Sequence, residues 1–170
     1  SVPLATSIQT QCGYFTAGTS TFPISEGFIM ATGNVLVALG PNTSGSASNG
    51  TGVAPDPNDP DLDAVSTSVM NDEAVLEFDF IPSGDSVAFN YIFASEEYPE
   101  YVFSVNDAFG FFISGPGITG PYTGGAANIA LVPGTSTPVQ INTINSTTNS
   151  AYYVNNLGGA STQFDAFTTV

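Results

Sequence analysis

No Lys, Arg or His occurs anywhere in this chain of 170 residues, yet fifteen positions are Asp or Glu. Any fold it adopts must set each carboxylate in water, against hydrogen-bond donors, or against a cation that the sequence does not supply. Thirteen of the fifteen acids fall between Asp56 and Asp107, so the constraint is concentrated in one third of the chain. A disordered acidic tail is not the answer. Hydrophobic residues make up 42% and thirteen residues are Phe, enough for a core at this length.

The missing residue types also remove function classes. Without Lys or Arg nothing neutralises phosphate, which excludes nucleic-acid binding and disfavours anionic membrane surfaces. Without His there is no imidazole base, no Ser-His-Asp or Cys-His arrangement and no His-ligated zinc. Without Lys there is no Schiff base and no phosphate loop of the Walker type. The chain also offers trypsin no site, and its uniform charge repels its own copies unless cations screen it. Cys12 is the single cysteine, so no internal disulfide forms; a cytosolic protein, an exported bacterial protein and an intermolecular pair all fit that count. No apolar run approaches a membrane span, and Ser1 fits the start of a processed chain. Sequons at Asn42, Asn49 and Asn145 are no more than a Ser/Thr/Asn-rich chain yields by chance.

Short apolar runs punctuated by eighteen Gly and twelve Pro indicate strands rather than helices. In AVLEFDF (74–80), Ala74, Leu76, Phe78 and Phe80 alternate with Glu77 and Asp79. In VAFNYIFA (87–94), Val87, Phe89, Tyr91 and Phe93 share a side, and Ala88, Ile92 and Ala94 make the reverse apolar too, as in a central strand. Further strands are expected at 28–32, 35–39, 108–114, 126–132, 138–144 and 151–155. Residues 40–63 form one long acidic loop rich in Gly, Ser, Asn and Pro. The pattern predicts a single all-β domain over 1–170, an antiparallel β-sandwich of jelly-roll type.

Two acidic groups stand out: Asp56, Asp59, Asp61 and Asp63 in the loop, and Glu96, Glu97, Glu100 and Asp107 around FASEEYPEYVFSVND. Ca²⁺ suits them, because it accepts six to eight carboxylate, amide and carbonyl oxygens in flexible geometry. Glu96 and Glu97 end a strongly apolar strand and lie at a rim beside the core, where an unpaired carboxylate is costly. Asp61, Asp63, Glu96, Glu97, Asn106 and Asp107 are therefore the expected metal ligands, with the ion tying the loop to the rim. Asp and Pro also make ordinary solvated loops, and backbone N–H groups can serve a rim carboxylate in place of a metal. LEFDF resembles in part the acid motif of β-sandwich glucanases, but Ile81 and Pro82 stand where their third acid follows, and the chain has no Trp for sugar stacking. Tyr98, Tyr101, Tyr122, Tyr152 and Tyr153 would suit a glycan surface or half-buried sheet positions equally.

The pieces GPNTSGSASN, NDPDLDA, AVLEFDFIPSGDSVAFNYIFASEEYPEYV, NDAFGFFISGPG, NIALVPGTSTPVQINTIN, YYVNN and FDAFTTV, in that order over about residues 28–170, resemble the choice-of-anchor L domain of secreted and surface-anchored bacterial proteins, notably of Bacteroidetes. The resemblance implies an exported β-sandwich module of large adhesin-like proteins, extracellular or on the cell surface, and no enzymatic activity. Family members usually carry a Cys near YVFSVND; Phe103 stands there instead, so the disulfide usual in that loop is not expected. The family domain also continues beyond FTTV, which leaves three expectations: a fragment, a second chain carrying the remainder, or a subunit completed by a neighbour's strand. Three functions follow: a calcium-binding surface module, a self-assembling filament subunit whose partners are neighbouring subunits, or a carbohydrate-binding or glycoside hydrolase domain.

Overall fold

The computed structural model describes residues 11–18, 20, 22–47, 59–66 and 70–170. They form a mainly β structure of short antiparallel ladders with one short helix, consistent with a sandwich. Strand β1 (Cys12–Thr16) pairs with β2 (Glu26–Met30) over five residues, from Cys12 opposite Met30 to Thr16 opposite Glu26. Strand β3 (Ala94–Ser95) lies beside β9 (Ala166–Thr168), which also pairs with β8 (Tyr153–Asn155). Strand β4 (Ala108–Phe109) pairs with β7 (Val139–Gln140), and β5 (Phe112–Ile113) with β6 (Ala127–Asn128).

Several expected elements take another form. Residues 35–39 are not a strand: Val35–Ala38 coil into a 3₁₀ turn because Asn34 Oδ1 accepts the Leu36 N–H at 3.0 Å. The long loop ends early, in helix α1 (Pro60–Ser66). Asp59 Oδ1 caps it by accepting the N–H groups of Asp61 (2.8 Å) and Leu62 (3.1 Å), and Pro60 occupies the first helical position. The segment 74–80 joins no ladder among the described residues. Alternation prepares a chain for a sheet, but a ladder needs a partner, and no described segment pairs with this one. In 87–94 only Ala94 belongs to a ladder, with Phe93 bonded to Thr168 on either side of it. The expected face is nonetheless used: Phe89 packs on Phe111 (4.6 Å between ring centres), and Tyr91 and Phe93 on Phe109 (4.8 and 6.3 Å).

Two adjoining clusters hold the described core. Tyr98, Ile141 and Ala166 form one, and Val132, Val139 and Ile144 the other; Phe93 and Tyr153 pack against both. Tyr98 is central. It has no exposed surface, meets the Tyr153 ring edge-on at 5.2 Å, and donates its hydroxyl to the Ile144 carbonyl at 2.5 Å. Turn 40–47 is laid along residues 159–165. Here a glycine is required by close approach: a Cβ on Gly40 would lie 2.7 Å from both Ser161 C and Thr162 N. Gly40→Ala should therefore push the turn off this backbone and cost about 1–3 kcal/mol in a urea melt. An unchanged midpoint would show that the turn can shift without loss.

Candidate functional site

The register of β3 on β9 builds the site. Ser95 lies opposite Ala166, so continuing the pairing by one residue sets Glu96 across from Asp165. The ladder itself stops at Ser95 and Ala166, and just past its end the two carboxylates are close enough for their charges to repel. Asp165 is wholly buried. Its Oδ1 accepts the Asn42 amide at 2.7 Å, while its Oδ2 has no partner. Both carboxylate oxygens of Glu96 are likewise shut off from water and accept no hydrogen bond of ordinary length and angle, although the Ala47 N–H and the Gln163 amide lie near.

Turn 42–47 closes over this pair through its own hydrogen bonds. Asn42 Nδ2 also donates to Gln163 O (2.6 Å), the Thr43 N–H donates to Gln163 Oε1 (3.1 Å), and Gln163 Nε2 donates to Ser44 O (2.7 Å). The point where a Gly45 Cβ would sit is 3.2 Å from Glu100 Oε1 and 3.6 Å from Asp165 Oδ2. A cleft of about 290 Å³ opens beside it, lined by turn 45–47, Glu96, Glu97, Tyr101 and Val105.

Electrostatics follow from this crowding. Burial, and then the charges of Asp165 and Glu97, push the Glu96 carboxyl up to about 7, against the pull of the Ala47 N–H and the Gln163 amide. Glu97 is raised by burial and by Asp107 and Glu100. Asp165 is raised by burial and by Glu100, with the Asn42 amide opposing. Asp107 is raised by burial and held down by the Ser95 hydroxyl, which donates to its Oδ2 at 2.7 Å.

The expected ligands thus fall into separate places. Glu96 and Glu97 flank one rim, and Asp107 lies near Glu97. Asp61 accepts the N–H and hydroxyl of Thr123 at 2.9–3.0 Å, and Asp63 Oδ1 accepts the Met70 N–H at 2.8 Å. Asn106 ties α1 to β7, donating to Ser66 O (2.8 Å) and Gln140 Oε1 (3.0 Å). Asp56 and Asn49 lie outside the described residues. Among the described residues, no three acidic or thiol side chains already converge on one ion. Asp165, Asn42 and Gln163 were not singled out as ligands from the sequence. The available signal was the lone acid of FDAFTTV, one charge in an otherwise uncharged, largely apolar run.

The family model described as the choice-of-anchor L domain matches residues 2–170. The chain belongs to that family. The match reaches well before residue 28, where the resemblance read from the sequence begins, and takes in both the β1–β2 hairpin and the acidic rim. No curated protein and no solved structure gives a match. Membership identifies this choice-of-anchor L domain as a module of a surface-anchored bacterial protein, secreted or at the cell surface. Among the described residues no helix is long and apolar enough to cross a membrane.

Proposed function

We propose that the domain is a non-enzymatic, calcium-binding interaction module of an adhesin-like bacterial surface protein. The observation that carries this reading is the set of buried carboxylate oxygens on Glu96 and Asp165 that lack a hydrogen bond of ordinary geometry, in a chain that encodes no cation. Such groups have to be protonated or held by an ion from outside. Ca²⁺ fits better than Mg²⁺, because the carboxylates are arranged loosely and Ca²⁺ tolerates irregular, many-oxygen shells. Calcium would neutralise the rim and fix the turn over it, giving a rigid surface in a calcium-rich medium. Calorimetric titration of metal-free protein should give saturable Ca²⁺ binding with Kd of about 0.1–1 mM, the range of extracellular modules, and much weaker Mg²⁺ binding. Heats no larger than dilution would defeat the proposal.

A second reading, self-assembly by strand addition, is favoured by residues 71–92. Within that stretch, residues 74–92 make no backbone–backbone hydrogen bond among the described residues. They also expose Leu76, Phe78, Phe80 and Ile81. A strand from a neighbouring subunit or another surface protein would satisfy both. Filaments in electron micrographs would support this reading, and a sharp monomer at high concentration and high salt would exclude it.

A further inference from the structure

We infer that one divalent cation of the Ca²⁺ class binds between turn 42–47 and the Glu96–Asp165 pair, with Asp165 Oδ2, Glu96 and Glu100 as its carboxylate ligands, and acts as a latch fastening that turn to the segment that leads into β9. The inference rests on the calcium reading above and gives it a ligand set different from the one expected along the sequence.

The acidic cluster alone would not carry it. What does is Asp165: a side chain without exposed surface, one oxygen fixed by Asn42 and the other left unpartnered toward Glu100 and Gly45. A structural carboxylate at such depth is normally bonded through both oxygens. Glu96 adds two more buried acceptors, near the Ala47 N–H and the Gln163 amide but without a hydrogen bond of ordinary geometry. Glycine at 45 leaves open the space between Asp165 Oδ2 and Glu100 Oε1. The ion cannot sit at the Cβ point itself, which is within bonding distance of Gly45 Cα, and among the described residues no three acids converge on one ion, so binding has to draw the exposed Glu100 inward. Backbone carbonyls of the turn and water would complete the shell.

The rival position, between Glu97 and Asp107, has less need of an ion. Asp107 Oδ2 already receives the Ser95 hydroxyl, and no buried oxygen of Glu97 or Asp107 lacks a partner. The latch would span a large sequence distance, since Asn42 and Asp165 are 123 residues apart. It would act as a cross-link in a chain without an internal disulfide.

Calcium titration of the whole chain and four variants tests this. Asp165→Asn and Gly45→Ala should each weaken Ca²⁺ binding about tenfold or more, since one removes a charged ligand and the other sets a methyl group against Glu100 Oε1 and Asp165 Oδ2. Glu100→Gln, at an exposed position, should weaken it severalfold and serves if Asp165→Asn does not fold. Asp107→Asn should change Kd by less than about threefold. Calcium should also slow amide exchange at Thr43 and Ser44 in the wild type and not in Gly45→Ala. If Gly45→Ala and Glu100→Gln bind like wild type while Asp107→Asn loses the ion, the latch is wrong and the calcium reading survives. If the wild type binds no calcium, both fall.

Discussion

Truncating Tyr98 to alanine should destabilise the domain by about 3–5 kcal/mol, a large part of what a single domain of this size possesses. Tyr98 has no exposed surface and touches Ile141, Ala166 and Tyr153, so its removal opens a cavity that the β3–β9 ladder cannot close. Its hydroxyl also satisfies the Ile144 carbonyl. Tyr98→Phe isolates that part: it keeps the ring, strands a buried carbonyl, and should cost about 1–3 kcal/mol. Urea denaturation followed by circular dichroism reads both. Equal losses in the two variants would mean that the hydrogen bond, not the ring, holds this region. Because Tyr98 follows Glu96 and Glu97 directly, the Ala variant should also loosen the acidic rim.

The second large effect concerns the rim charges. At 100-fold excess over Kd, calcium should stabilise the domain by about 2.7 kcal/mol, or roughly 5–10 °C in Tm for a chain of this length. Without calcium the pH dependence should carry the opposite of the usual acid-denaturation sign. Glu96 is raised from 4.5 to about 7 on folding, so the folded state binds the extra proton between these values. Stability from this group is therefore full below pH 4.5 and is lost as pH rises through 7. Glu97, Asp107 and Asp165 are shifted the same way. In EGTA the protein should melt higher at pH 5 than at pH 8, with Glu96 contributing about 1–2 kcal/mol after allowance for its partial exposure. Glu96→Gln should flatten the curve between pH 5 and 7, which separates this site from the general repulsion of fifteen acids. A metal-free Tm that falls on going from pH 8 to pH 5 would contradict it.

What the sequence made legible was chemistry that one segment carries alone. Alternation in 87–94 gave the face on which Phe89, Tyr91 and Phe93 pack, and the short apolar runs gave the β class. Glu96 and Glu97 stood out because they end such a run with no encoded cation to meet them. The cap at Asp59 and Pro60 was equally local; reading the loop's acids as metal ligands hid the start of α1. Ladder membership was not legible, because 74–80 has the pattern of a strand and a ladder also needs a neighbour. Asp165 escaped for the same reason. Alone it is one acid in FDAFTTV, and only the register of Ser95 on Ala166 brings it to Glu96.

The most direct measurement is carboxyl ¹³C NMR of the uniformly labelled, metal-free protein during a Ca²⁺ titration. The account predicts that the side-chain carboxyl signals of Glu96 and Asp165 move together and saturate at one equivalent of bound ion, while those of Asp61 and Asp63 stay in place. Signals of Glu96 and Asp165 that do not respond to calcium would contradict it.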